Sequence, residues 1–150
     1  MRPHVPSVRT VSLVARMLLA GVFVVAGALK LADPQAAVQA VRAYQLLPEA
    51  LEAPVGWGLP AFEVALGLLL AVGLFTRVCA VAAAALLMIF IAGVASAAAR
   101  GLSIDCGCFG GGGTVAPGET RYASEIIREV GLLALAAWLA WKPTSRFSLD

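Results

Sequence analysis

Four long apolar runs constrain this chain more than any other feature. They cover roughly Ser12–Ala32, Gly58–Phe75, Val78–Ala99 and Ser124–Trp141. Each is close to the ~20 residues that cross the hydrocarbon core of a bilayer. The last is short, about 27 Å at 1.5 Å per residue, and spans with little tilt. The runs are continuous, rich in alanine and leucine, and do not alternate, so barrel strands fit poorly. Helices are then the remaining way to satisfy the backbone in lipid. Composition agrees, with 61% hydrophobic and 13% charged residues. A soluble domain is about one-half apolar and one-quarter charged, and a small core cannot hide such an excess. The expectation is an all-α integral membrane four-helix bundle of up-down topology, forming one domain over residues 1–150.

The first run has the look of a signal peptide, with Arg2, Arg9 and Arg16 before its middle and Ala26 to Ala28 near its end. It is long for a signal core, and Lys30 interrupts the cleavage-like region, so a retained helix is expected. About 25 residues separate the first two runs. Within them Asp33-Pro34 reads as an N-cap and first helical position. Val38, Val41, Tyr44 and Leu47 recur on one face, which predicts a short amphipathic helix at the membrane surface.

Basic residues near the helix ends set the orientation. Arg2, Arg9, Arg16, Arg77, Lys142 and Arg146 fall on one side; Lys30, Arg42, Arg100, Arg121 and Arg128 on the other. Lys30 and Arg128 lie inside apolar runs and mark loops poorly. Cytoplasmic termini follow, with Trp138 and Trp141 anchoring the last helix at the inner interface and Arg16 acting as a topology determinant. The net charge of +2 and the scattered basic residues argue against nucleic acid.

The connection at 100–123 carries Asp105-Cys106-Gly107-Cys108-Phe109-Gly110 and then Gly111 to Gly113. On the stated orientation it faces the extracytoplasmic, disulfide-permissive side. A bond between Cys106 and Cys108 closes a ring with one residue between, so chain-entropy stabilisation is small and strain is expected. Strained, exposed disulfides are the labile and catalytic ones, and Gly107 supplies backbone freedom. Redox exchange leads, and two other readings stand beside it. Two thiolates suit a soft ion such as Cu(I), but a closed zinc site needs four ligands. Asp105 offers a third, and the single histidine, His4, belongs to the opposite side. The pair can also be structural or idle. The glycine run lacks the Lys-Ser or Lys-Thr of a phosphate loop and reads as a flexible tether, or as a loop with no mechanistic role. Cys79 reads as a small apolar packing residue.

Lys30, Glu63 and Arg128 interrupt the runs in their outer halves. Glu63 and Arg128 sit roughly 5–6 Å inside their helix ends. Intramembrane charges face bundle interiors, so Glu63 is expected to pair with Lys30 or with Arg128. Either cation would favour a thiolate, and Glu63 would carry protons during exchange with a quinone. The rival reading is that Lys30 and Arg128 snorkel to the interface. Glu125 and Glu129 share a face at i, i+4; they either help the site or, as the leading expectation, meet the outer headgroups near a helix N-terminus.

These residues resemble the MauE/DoxX group of small bacterial membrane proteins over about Arg16 to Trp141. The likeness rests on Ala26-Gly27-Ala28-Leu29-Lys30-Leu31, Tyr44-Gln45-Leu46-Leu47-Pro48, Pro60-Ala61-Phe62-Glu63-Val64-Ala65-Leu66-Gly67 and Gly73-Leu74-Phe75-Thr76-Arg77. The Asp105-Cys106-Gly107-Cys108-Phe109-Gly110 segment is its most specific element. Arg128 fits the arginine that opens the last helix, while Glu129 stands where asparagine or aspartate is expected. The resemblance implies a four-helix redox membrane protein with an extracytoplasmic cysteine motif. It links some members to maturation of a disulfide-rich methylamine dehydrogenase subunit, and others to quinones.

The leading expectation is a thiol–disulfide oxidoreductase of the bacterial plasma membrane. Cys106 and Cys108 would exchange electrons between an extracytoplasmic thiol or disulfide protein and a membrane carrier such as a quinone. Glu63, Lys30 and Arg128 would assist, and no resident metal is expected. A non-catalytic assembly or scaffold subunit is the second reading. A small transporter or soft-metal handler is the third. The sequence sets no oligomeric state.

Overall fold

A computed structural model describes residues 7–105, 113–114, 121–144 and 149. Among them are five helices: α1 (Val8–Ala32), α2 (Pro34–Ala43), α3 (Glu49–Val72), α4 (Thr76–Ala99) and α5 (Tyr122–Trp141). Two short strands, β1 (Ile104–Asp105) and β2 (Gly113–Thr114), pair antiparallel, Ile104 with Thr114 and Asp105 with Gly113. Three helices, α1, α3 and α4, are long and apolar enough to cross a membrane. Val14, Leu18, Leu68, Val78, Val81 and Ile89 are exposed on them. Outward apolar side chains of this kind are what lipid covers.

Local signals set the helix ends. The Ser7 hydroxyl accepts from the Thr10 N–H at 3.3 Å and caps α1. Asp33 closes α1 through its N–H to Lys30 and opens α2 by accepting from the Ala36 N–H at 3.1 Å, with Pro34 following. This N-cap agrees with the sequence reading. Gly73, at φ 73°, ends α3, and the N–H groups of Gly73 and Leu74 return to the Leu69 carbonyl. Glycine is favoured at that left-handed position.

Helix α3 begins at Glu49, nine residues before the expected Gly58. Pro54 and Pro60 lie inside it, and Glu49 and Glu52 occupy its first turn. Proline and acid read as boundary signals, yet acids favour a helix N-terminus, and membrane helices tolerate interior proline where neighbouring groups satisfy the freed carbonyls. A helix, α2, forms where the amphipathic one was expected; Ala37 and Ala40 are its most buried residues, and Tyr44 and Leu47 lie beyond its end. Gly113, the last residue of the expected glycine tether, pairs in β2, and the rest of that run lies outside the described residues.

Helices α1 and α3 run antiparallel at close range. A Cβ on Gly27 would lie 2.7 Å from the Pro60 carbonyl oxygen, and one on Gly67 would lie 2.9 Å from that of Ala20. Small residues of this kind let membrane helices approach backbone to backbone. The core adds Leu19, Phe23, Leu70, Ala83, Leu87 and Leu139, from α1, α3, α4 and α5. Where α1 begins and α5 ends, the Ser12 hydroxyl donates to the Lys142 carbonyl at 2.8 Å. Nearby, Arg77 Nε donates to the Ala140 carbonyl at 3.1 Å.

Candidate functional site

The close register of α1 against α3 brings Lys30 to Glu63. Lys30 Nζ donates to Glu63 Oε1 at 2.9 Å and to Oε2 at 3.0 Å. Both side chains are buried, at 8% and 1% exposure, so this cation does not snorkel to solvent. The ammonium also lies 5.2 Å from the centre of the Phe90 ring of α4. Of the two cations considered for Glu63, Lys30 is its partner.

Arg128 takes another role. It is 40% exposed and reaches its neighbour Glu129 at 3.4 Å. Position 128 of α5 points toward the periphery, and position 129 points inward. Glu129 is buried, and its Oε2 has no hydrogen-bond partner among the described residues. It lies within electrostatic range of both Lys30 and Glu63. Glu125, one turn earlier, is buried too. The expectation that Glu125 and Glu129 meet the headgroups is therefore corrected: their shared face turns into the protein. Arg16 is 1% exposed, packed among the helices. Trp141 is exposed, whereas the Trp138 indole N–H is buried without an acceptor among the described residues. That arrangement suits an interfacial anchor at Trp141 only.

Cys106 and Cys108 lie outside the described residues. The strands before and after them are described. The Tyr122 hydroxyl of α5 donates to the Leu102 carbonyl and accepts from the Ile104 N–H at 3.1 Å, which fixes β1. Strand β2 packs against α2. Cys79 is buried, its thiol 3.6 Å from the Leu74 carbonyl, as a packing residue would be. It sits at the start of α4, the end of that helix away from β1. Among the described residues no group of three His, Cys, Asp or Glu side chains is placed to hold a metal.

Sequence reasoning missed a cavity of about 320 Å³ between α2, α3 and α4. Lys30, Tyr44, Val55, Leu59, Phe90 and Gly93 are among its lining. Apolar residues dominate it, and in sequence they look like any other core positions. Two ion contacts hold the wall. Arg42 Nε meets Glu52 Oε2 at 2.7 Å between α2 and α3. Arg100, from the end of α4, donates to the carbonyls of Tyr44 and Gln45. Hydrogen bonding to Glu52, then its charge, moves the Arg42 guanidinium further above its usual range. This cation is thus permanent.

An all-helical membrane protein with an ion pair buried between two of its helices is the class that this geometry defines. The chain belongs to the MauE family: the family described as methylamine utilisation protein MauE matches residues 8–142. It is similar to the methylamine utilization protein MauE of Paracoccus denitrificans, at 40% identity over 98 residues. That match covers 65% of this chain and 53% of the relative, so the chain spans about half the length of the curated protein it matches. No solved structure matches the chain.

Proposed function

We propose that this chain is a thiol–disulfide redox protein of the bacterial plasma membrane. In this reading α1, α3, α4 and α5 cross the bilayer as an up-down four-helix bundle. Both termini are cytoplasmic, and Cys106 and Cys108 are extracytoplasmic. The contacts of Ser12 with Lys142 and of Arg77 with Ala140 support the alternation, because they join the start of α1, the start of α4 and the end of α5.

The observation that carries the redox reading is the Cys106-Gly107-Cys108 sequence that follows β1 in the chain, in a protein that buries the Lys30–Glu63 pair between two helices. A partner dithiol would attack the Cys106–Cys108 disulfide. The partner leaves as a disulfide, and this pair becomes a dithiol. The dithiol then passes two electrons and two protons to a membrane carrier of the quinone class, which leaves as the quinol. Glu63, with Glu129 near it, is the group suited to move those protons, and Lys30 offsets the carboxylate charge. Arg128 stays in the site as a peripheral cation on the same side as the cysteines. A methylamine dehydrogenase-like protein, rich in disulfides, is the proposed partner.

Thiol trapping in intact cells with a membrane-impermeant, mass-shifting reagent tests this. The expected result is labelling of Cys106 and Cys108 only after reduction, and loss of partner disulfides in the Cys106→Ser/Cys108→Ser double variant. Unchanged partner disulfides in that variant would sink the redox reading.

A second reading is an assembly subunit without turnover of its own. Its support is the cysteine count: of three cysteines, only Cys79 lies outside the pair, and it is buried toward the other end of α4. Co-purification of a partner that survives the double replacement would favour it.

A further inference from the structure

The cavity between α2, α3 and α4 is lined by apolar residues apart from Lys30 and Tyr44. Exposed Leu46, Leu47 and Ile89 stand at its rim, so it opens onto an apolar surface rather than a polar one. Its volume, about 320 Å³, lies at the small end of the ~300–1,000 Å³ of small-molecule sites. That suits a single ring with the start of a tail.

Charge decides which headgroup fits. An ammonium has three N–H donors. Lys30 directs two toward Glu63, at 2.9 and 3.0 Å, while the group as a whole faces Phe90 of the cavity wall. One donor is left for an occupant. Glu63 already balances the Lys30 charge, and Glu129 lies within electrostatic range. An anionic headgroup therefore gains little there and meets the Glu63 carboxylate. A neutral acceptor oxygen gains a charge-assisted hydrogen bond without that repulsion.

We propose that this cavity binds a neutral, lipid-soluble ring compound bearing a carbonyl oxygen, the class that includes quinones, with that oxygen accepting from Lys30 Nζ. The assignment rests on the membrane-carrier half of the proposed function and gives that carrier a place.

The test uses the full chain carrying Cys106→Ser/Cys108→Ser, in detergent, so that no thiol of the pair reacts with the probe. Calorimetric titration compares decyl-benzoquinone, decylbenzene and decanoate. The expected result is saturable binding of the quinone, with the other two weaker by about tenfold, the worth of one good hydrogen bond. Gly93→Leu should abolish binding. A Cβ there already touches the Tyr44 ring at 3.4 Å, so the larger side chain fills the cavity. Lys30→Met/Glu63→Leu removes the donor without leaving a lone buried charge, and should bring quinone affinity down to that of decylbenzene. Circular dichroism confirms that each variant is folded. Equal affinity for decylbenzene would mean an acyl-chain site, and preference for decanoate an anion site; either overturns the proposal. So does the absence of saturable binding, or binding unchanged in Gly93→Leu. If binding fails while the wild-type cysteines still exchange with a partner in cells, only the cavity assignment falls. If exchange fails while binding holds, only the redox reading falls.

Discussion

Lys30 and Glu63 depend on each other because neither has another route to charge balance of the same quality. Removing one member of a buried pair leaves an uncompensated charge, at roughly 3–5 kcal/mol. Lys30→Met should therefore lower stability by that order in a denaturant titration in detergent micelles. Lys30→Met/Glu63→Leu should recover most of the loss, since both charges are gone. If the single variant were as stable as the parent, the pair seen between α1 and α3 would not govern stability. Arg128 provides the contrast. At 40% exposure it reaches, at 3.4 Å, a carboxylate that is only 2% exposed, so the contact is longer and half-open, and Arg128→Ala should cost less than Lys30→Met, about 1–3 kcal/mol. A partial list of charged positions was readable from the chain itself, because Lys30, Glu63 and Arg128 break apolar runs. Which of them pair was not. A one-residue difference on α5 is a rotation of about 100°, enough to turn Arg128 outward and Glu129 inward. Pairing needs that rotation and the α1–α3 register, and neither is a property of local sequence.

At the scale of elements, close approach of α1 and α3 carries the Lys30–Glu63 geometry. Gly27→Val places a Cβ 2.6 Å from Val64 Cγ2 and 2.7 Å from the Pro60 carbonyl. The helices must separate, with an expected loss of about 1–3 kcal/mol. Gly21 has nothing within 4 Å of an added Cβ, so Gly21→Ala should be tolerated and serves as the paired control. Thermal unfolding of both variants in one detergent checks the contrast. Strand β1 has an anchor of another kind, the Tyr122 hydroxyl. Tyr122→Phe removes its bonds to Leu102 and Ile104 and should speed amide exchange at residues 102–105 while leaving α1 and α3 unchanged. Equal exchange would show that the strand is held otherwise. The α3 boundary explains why element limits are harder to read than element existence. Pro54 and Pro60 look like stops, but the preceding turn carries Glu49 and Glu52 where acids favour a helix start. The packing of Gly56 against Val38 of α2 then rewards the longer helix.

For the whole molecule, three apolar helices with outward valine, leucine and isoleucine predict that the protein stays with membranes through an alkaline carbonate wash and leaves them only with detergent. Release into the carbonate supernatant would contradict this. The amino-acid sequence by itself determined that the chain is helical and belongs in lipid, because run length and composition are summed along the chain and need no partner. It also determined the N-cap at Asp33, which acts over a few bonds. Tertiary structure alone decided that Lys30 is the partner of Glu63, that Glu125, Glu129 and Arg16 are buried, and that a cavity opens beside Phe90 and Gly93. Each of these depends on which faces of separate helices meet, and the energy of that meeting belongs to pairs of residues far apart in the chain.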